Sequence, residues 1–348
     1  AQVQSLRDRL DTVPDGGTIL ISAPPNPYRC PPGPYERASL IAEHLLGTGR
    51  KRCKILIADS KDDFTKRPLF LAEWDERYGS MIEWVSRTTG GEVARVDACT
   101  GEVWLRDRSA SIGTHLASIV PPQQAAAIAK TADVSDESGW CPVHPQNFES
   151  TRHAGIHVIG DAAVAAPMPK SAFAANSQAK LCASAITAAL AGRPAPDARM
   201  INTCYSLVAH DAAISVSGFY SAASGRIAIV SEGLSPLSPP DGLRAREAAQ
   251  AHDWYESSDD PTGASWHRWL LVFGGVVYGL YVSNDLGWLP MLAFGDPTWL
   301  TFGIIVLFVL SSLYCGALAF EMARQHMVWK RLHQGLRHDG ASWASDYL

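Results

Sequence analysis

The stretch from Thr18 to Asp59 constrains this chain more than any other. Thr18-Ile19-Leu20-Ile21-Ser22 is a short apolar run of the kind that becomes a strand buried on both faces. Glu36 to Gly49 (ERASLIAEHLLGTG) spaces Leu40, Ile41, Leu45 and Leu46 as a helix does, and stops on Gly47 and Gly49. Lys54 to Asp59 (KILIAD) is a second apolar strand that ends on an acid. Strand, loop, helix, strand is a βαβ unit of dinucleotide-domain type. The first loop of such a unit normally reads GxGxxG, so that backbone N–H groups can approach a pyrophosphate. Here the loop reads APPNPYRCPPGPYE. Proline has a fixed φ and no N–H to donate, so this loop is poorly built to cradle phosphate. It is stiff, and it presents a single thiol, Cys30.

Around this unit the pattern stays that of an α/β protein. Residues 5 to 13 (SLRDRLDTV) read as a helix that leads through the Asp15-Gly16-Gly17 turn into the first strand. Met81 to Val85, Glu92 to Val96 and Glu102 to Leu105 read as a short antiparallel meander, and Ala117 to Pro122 as a strand closing the unit. Ser138 to Val143 (SGWCPV) is a turn or edge segment. Gly155 to Ile159 (GIHVI) reads as a further strand with Gly160-Asp161-Ala162 at its carboxyl end, followed by a small-residue helix from Ala172 to Leu190. A helix N-terminus after such a strand is suited to negative charge on a ligand, and Lys170 stands just ahead of it.

The net charge of −5 gives no nucleic-acid footprint. The seven cysteines (Cys30, Cys53, Cys99, Cys141, Cys182, Cys204 and Cys315) form no CxxC pair and no Cys/His spacing for zinc, so no metal site is expected. CxxCH is absent, so no c-type haem attaches to this chain. Leu300 to Phe320 holds 21 residues without a charge, enough to cross a bilayer core of roughly 30 Å. Trp266 to Val282 is a shorter apolar span with His267 and Arg268 at its start, and 266–320 therefore reads as a two-helix transmembrane hairpin. Arg324, Lys330, Arg331 and Arg337 make 321–348 a basic amphipathic tail, a bias that favours the cytoplasmic side for both ends of the hairpin.

Taken together, NPYRCPPGPYERA (26–38), SGWCPV (138–143), HVIGDA (157–162), MPKSAFAANSQAK (168–180), NTCYSLVA (202–209) and ISVSGFY (214–220) resemble the flavoprotein subunit of flavocytochrome c sulfide dehydrogenase. That family is related to sulfide:quinone oxidoreductases and, more distantly, to disulfide reductases. The resemblance runs from about residue 5 to 260. It implies a two-dinucleotide-binding-domain flavoprotein fold that binds FAD. The family's leading GxGxxG unit and export signal are not in this sequence, so the expectation is that fold without its first FAD-binding βαβ unit. The expected divisions are 1–140, a second, NAD-like dinucleotide domain carrying the thiol loop; 141–195, the returning part of the FAD domain; and 196–262, the C-terminal flavoprotein domain.

Residue by residue, the resemblance implies a redox-active disulfide between Cys30 and Cys204, with Glu36 a carboxylate near the flavin and a proton handler. Gly160 and Asp161 match the ribityl-binding pair. Lys170 and Ser171 match the flavin N1–C2=O edge and the helix that starts there. Trp254, in AHDWYES, resembles an aromatic beside the isoalloxazine. The implied activity is oxidation of sulfide, with electrons passed to a c-type cytochrome. Two alternatives stand beside it: the same chemistry delivered to a quinone at the membrane, or a catalytically incomplete membrane-tethered remnant. The implied location is a bacterial inner membrane with the flavoprotein part in the periplasm, where a disulfide persists; the charge bias of the hairpin argues for the other side.

Overall fold

A computed structural model describes residues 2–259 apart from Ala195, Ala223 and Ser224. The first helix, α1 (Gln2–Thr12), leads into β1 (Thr18–Ala23), where Ile19, Leu20, Ile21 and Ala23 are fully buried. Helix α2 (Gly33–Gly47) starts directly after the proline loop, with Pro34 in its first turn, where no intrahelical N–H is needed. Its apolar face, including Ile41 and Leu45, packs on the sheet, and Gly49 at φ +81° ends it. Strand β2 (Lys54–Asp59) pairs parallel with β1, Ile19 opposite Ile55 and Ile21 opposite Ile57. This is the βαβ unit expected.

Helix α3 (Arg67–Tyr78) then delivers β3 (Ile82–Val85) to the far side of β2, again parallel. The segment read as the first strand of a meander thus belongs to the parallel sheet. The antiparallel meander is instead β4 (Val93–Asp97), β5 (Glu102–Leu105) and β6 (Ile112–Gly113). Strand β7 (Leu116–Ser118) returns beside β1 and completes the order β3-β2-β1-β7. Beneath this sheet Tyr35, Phe64, Phe70 and Trp74 form an aromatic cluster, with Tyr35 and Phe64 stacked at 3.7 Å between ring centroids.

The short helix α4 (Ala127–Thr131) follows, and then β8 (Cys141–Pro142) pairs parallel with β9 (Ala163–Val164). The strand expected over 155–159 does not form. Only an isolated bridge joins Glu149 to His157, and Gly160–Ala162 is a single 3-10 turn. The small-residue helix is present as α5 (Ala172–Leu190), capped by Ser171. A long antiparallel sheet, β10 (Arg199–Ala209), β11 (Ala212–Ser221) and β12 (Ala228–Leu234), precedes α6 (Leu243–Asp259). Val208, Ala209, Ala212 and Ile214 join the same core as β1 and α2, so this sheet is built onto the βαβ unit within one compact unit that reaches Ala251.

The membrane expectation needs correction. No helix among the described residues is long and apolar enough to cross a bilayer. The longest, α5, has 19 residues but carries Asn176, Gln178 and Lys180. The hairpin read over 266–320 and the tail 321–348 lie outside the described residues, so neither the transmembrane part of the fold nor the inner-membrane, periplasm-facing location is carried forward.

Candidate functional site

The proline loop does not hang free. Tyr28 Oη donates to the Pro31 carbonyl at 2.6 Å, and the Arg29 N–H donates to Gln123 Oε1 at 3.0 Å. Lys61 Nζ donates to the Pro24 carbonyl at 3.0 Å and to Asp59 Oδ1 at 2.6 Å, and sits over the Tyr28 ring. Asp59, the acid that ends β2, is completely buried; its other oxygen accepts from Tyr35 Oη at 2.6 Å and Trp84 Nε1 at 2.9 Å. In a dinucleotide domain that strand-end acid would meet a ribose. Here it anchors the loop that replaces the phosphate cradle.

Cys30 adopts φ +51°, a left-handed conformation that residues other than glycine rarely enter. Two backbone bonds hold it there: the Cys30 N–H donates to the Lys170 carbonyl at 2.8 Å, and the Gly33 N–H donates to the Cys30 carbonyl at 2.9 Å. Backbone strain of this kind concentrates at functional sites. A Cβ on Gly33 would come within 3.3 Å of Cys30 Sγ, so the sulfur rests against the first turn of α2.

Cys30 borders a cavity of about 610 Å³ whose wall also includes Cys204, in the middle of β10. Both are free thiols in the structure. Cys30 opens onto the cavity, yet burial by the surrounding protein pushes its thiol up to about 12, helped by the charges of Glu36 and Cys204 and opposed by Lys66. Burial also raises the half-buried Cys204 thiol, against the pull of a lysine, Lys66. Lys66 Nζ lies 3.9 Å from Cys204 Sγ and donates to Ser206 Oγ at 2.7 Å and to the Cys204 carbonyl at 3.1 Å. Glu36, in the first turn of α2, accepts the Leu207 N–H at 2.8 Å; burial pushes its carboxyl up to about 7, while that bond and Lys66 pull the other way.

The opposite wall comes from the segment ahead of α5. Lys170 Nζ donates to the carbonyls of Asp161 (2.6 Å) and Ala163 (2.9 Å) and lies 3.7 Å from the centre of the Trp140 ring. Burial lowers its ammonium to about 8, and the Asp161 charge opposes this. Ser171 accepts from the Ala174 N–H at 3.1 Å and donates to Asn202 Oδ1 at 2.6 Å. Helix α5 thus begins on the cavity wall, where the positive end of its dipole lies.

The structure therefore gathers Cys30, Cys204, Gly160, Lys170 and Ser171 around one space. Glu36 and Asp161 stand just outside the wall, Asp161 contributing its backbone carbonyl to Lys170. Trp254 falls on α6, but its side chain lies outside the described residues. Two wall or near-wall residues went unread in the sequence: Trp140, inside the SGWCPV segment, and Lys66, which no local signal marks because its partner is 138 residues away.

Two family models match this chain. Residues 3–121 match the central part of the sulfide dehydrogenase [flavocytochrome c] flavoprotein chain, and residues 196–259 match the flavocytochrome c sulphide dehydrogenase flavin-binding domain; together they cover just over half of the sequence. The chain belongs to this family. Its members are flavin-dependent oxidoreductases, and their cofactor is FAD. Among solved structures, a chain of the Tetrahymena thermophila mitochondrial ATP synthase is similar at 15% identity and a TM-score of 0.45, covering 61% of this chain and 52% of that one. The HOCl-induced flavoprotein disulfide reductase RclA from Escherichia coli, solved as its Cu(II) complex, is similar at 15% identity and 0.40, covering 58% and 42%. The chain thus spans about half the length of these structures.

The cavity fits the flavin end of the family cofactor. Its volume lies within the roughly 300–1,000 Å³ of small-molecule sites. Pro31, Pro32, Phe64 and Trp140 offer apolar walls to a planar ring, and Lys170 with the α5 N-terminus supplies positive charge at one edge.

Proposed function

We propose that this chain carries the sulfur-handling half of a flavin-dependent sulfide dehydrogenase, with Cys30 and Cys204 as its redox pair and a c-type cytochrome as final electron acceptor. The observation that carries the reading is the meeting of those two thiols, from a strained loop and from a distant strand, in one cavity with Lys170 and the start of α5. In this reading residues 1–140 form the thiol-bearing dinucleotide domain, 141–195 the returning segment of the FAD domain, and 196–262 the C-terminal flavoprotein domain.

FAD, when bound, takes up electron pairs and releases electrons singly, the chemistry that a sulfide-to-haem transfer requires. Gly160, Asp161, Lys170 and Ser171 would hold its flavin end. The protein's own step is thiol–disulfide exchange. Hydrosulfide attacks one sulfur of the Cys30–Cys204 disulfide; a new S–S bond forms as the old one breaks, leaving a persulfide on one cysteine and a thiolate on the other. Glu36, whose carboxyl burial raises to about 7, would accept the hydrosulfide proton. Lys170 offers positive charge where electron density accumulates.

The purified chain with its bound cofactor tests this. Non-reducing peptide mapping should find a Cys30–Cys204 disulfide after mild oxidation, and sulfide should drive reduction of added cytochrome c. Cys30→Ser and Cys204→Ser should each lower that rate roughly a thousand-fold or more. A missing cross-link, together with rates unmoved by either substitution, overturns the reading.

A further inference from the structure

The two thiols do not sit in equivalent surroundings, and the difference turns on Lys66. This lysine is 4% exposed, and among the described residues no carboxylate comes within salt-bridge distance of it. Its ammonium is satisfied by a carbonyl and a hydroxyl, both neutral, and it also contacts Cys204 Sγ at 3.9 Å; its charge reaches Glu36 and Cys30 from further away. A buried cation with no carboxylate in contact is costly unless charge arrives to meet it. Lys66 is also held in place: its backbone takes φ +62°, and its carbonyl accepts the Leu69 and Phe70 N–H groups at 3.0 Å each as α3 begins. An ammonium fixed at a left-handed helix entry and in contact with one of the two sulfurs is an arrangement for a charge that appears during reaction.

We propose that Lys66 is the counter-ion of the Cys204 thiolate, making Cys204 the leaving sulfur and Cys30 the sulfur that hydrosulfide attacks. The proposal deepens the reading above and rests on it for the disulfide. Hydrosulfide forms a bond to Cys30 Sγ, the Cys30–Cys204 bond breaks, and its electron pair stays on Cys204 Sγ beside Lys66. The product is a Cys30 persulfide and a Cys204 thiolate, with no external oxidant or reductant consumed. Exchange favours the more accessible sulfur as target and the better-stabilised thiolate as leaving group. Cys30 is exposed at the cavity and Cys204 half-buried, so access and charge select the same direction. Cys30 has the first turn of α2 against its sulfur, a helix end worth roughly half a charge, and feels Lys66 and Arg37 only from a distance, whereas Lys66 is in contact with Cys204 at 3.9 Å.

Cys204 is faced by Cys30 from the β1–α2 loop, Glu36 from α2, Lys66 from the entry to α3, and Ser206 on its own strand; Lys170 and Glu232 share the same cavity. Of these, Lys66 is the cation that both bonds to Cys204 and pulls its titration down against burial, while Glu36 opposes it.

The test is peptide-resolved alkylation of the reduced, full chain by iodoacetamide as a function of pH. In Lys66→Met the alkylation midpoint of Cys204 should rise by at least one pH unit, about a tenfold slower reaction below it, while Cys30 moves by less than half as much. Lys66→Arg should restore the Cys204 profile. Ser206→Ala, which removes the hydroxyl that holds the ammonium, should give a smaller upward shift and carries the test if Lys66→Met does not fold. A Cys204 midpoint unmoved by these changes, or a Cys30 shift of equal size, overturns the assignment. A second measurement reads direction: the oxidised chain is mixed with sulfide and alkylated at once. The extra sulfur should be found on the Cys30 peptide and the plain alkyl group on Cys204; the reverse distribution overturns it. If the disulfide never forms, the functional reading falls while the titration result stands on its own. If it forms and Cys204 titrates alike with and without Lys66, only the counter-ion assignment falls.

Discussion

Two loops face each other across the cavity, and they are stiffened by different means. The loop from Pro24 to Pro32 is rigid by covalent structure and by a buried ion pair beneath it, Asp59 with Lys61, whose ammonium reaches the Pro24 carbonyl. Among the described residues, the segment from Gly160 to Ser171 has no such pair under it. It is held by Lys170 turned back onto the Asp161 and Ala163 carbonyls and by Gln178, whose Oε1 accepts the Gly160 N–H at 2.7 Å. On the proposed chemistry the first loop keeps a sulfur in one place while bonds to it form and break, and the second accommodates the flavin. One backbone hydrogen bond, Cys30 N–H to the Lys170 carbonyl, ties them together. The contrast teaches that the thiol is braced from below by the βαβ unit and only steadied from across the cavity.

The largest break in that contrast should come from Asp59→Asn. The amide cannot accept from Tyr35, Trp84 and Lys61 together, and it leaves the Lys61 charge, 9% exposed, without its partner. A loss of about 3–5 kcal/mol in urea unfolding is expected. Iodoacetamide alkylation of Cys30 should quicken severalfold as the loop loosens, with Cys204 unaffected. Equal changes at both thiols would show that the brace is not local to the proline loop.

This half of the site was legible because its signals are local. A buried parallel strand, a helix with proline at its start and glycine after its end, and a second strand closing on an acid fit only a βαβ unit, and the prolines announced a loop unsuited to phosphate. The other half was legible only in part. Gly155 to Ile159 has the composition of a strand, but only His157 finds a bridging partner, and the segment bends through a single 3-10 turn at Gly160. The parallel placement of β3 was missed because its length and alternation are the same in either sheet; the helix α3 that carries it over was the missing clue. Lys66 was invisible for a different reason. Its meaning lies in a strand 138 residues away, and no spacing rule reaches that far.

Glu36→Gln should sharpen the comparison with an effect of intermediate size. Burial raises the Glu36 carboxyl to about 7 from its ordinary 4.5. The unfolded chain therefore loses this proton first as pH rises, and the folded chain binds more protons between about 4.5 and 7. Stability then falls across that window, by about 3 kcal/mol. Glutamine keeps the carbonyl that accepts the Leu207 N–H and removes the titration. The variant should match the parent at pH 4.5 and exceed it at pH 8, with the pH-dependent difference read from urea midpoints. A parallel pH dependence in both proteins would mean that Glu36 ionises freely and cannot serve as the proton acceptor of the site.

The smallest effect belongs to the second loop. Gly160 sits at φ +70°, and a methyl group there would come within 3.2 Å of the Ala175 Cβ on the first turns of α5. Gly160→Ala should cost about 1–2 kcal/mol, part from the left-handed backbone and part from that contact. The contact must be relieved by a few tenths of an ångström between the Gly160 turn and α5, which shifts the ground under Lys170 without touching Asp59, Lys61 or the prolines. If the two loops are braced independently, FAD retention on dialysis should weaken in Gly160→Ala while Cys30 alkylation stays at the parent rate. If Cys30 quickens as much as it does in Asp59→Asn, the single hydrogen bond from Cys30 to Lys170 carries more of the restraint than the buried ion pair below. The thiol loop would then be held chiefly from the cofactor side, and filling that side would itself set the geometry of the sulfur.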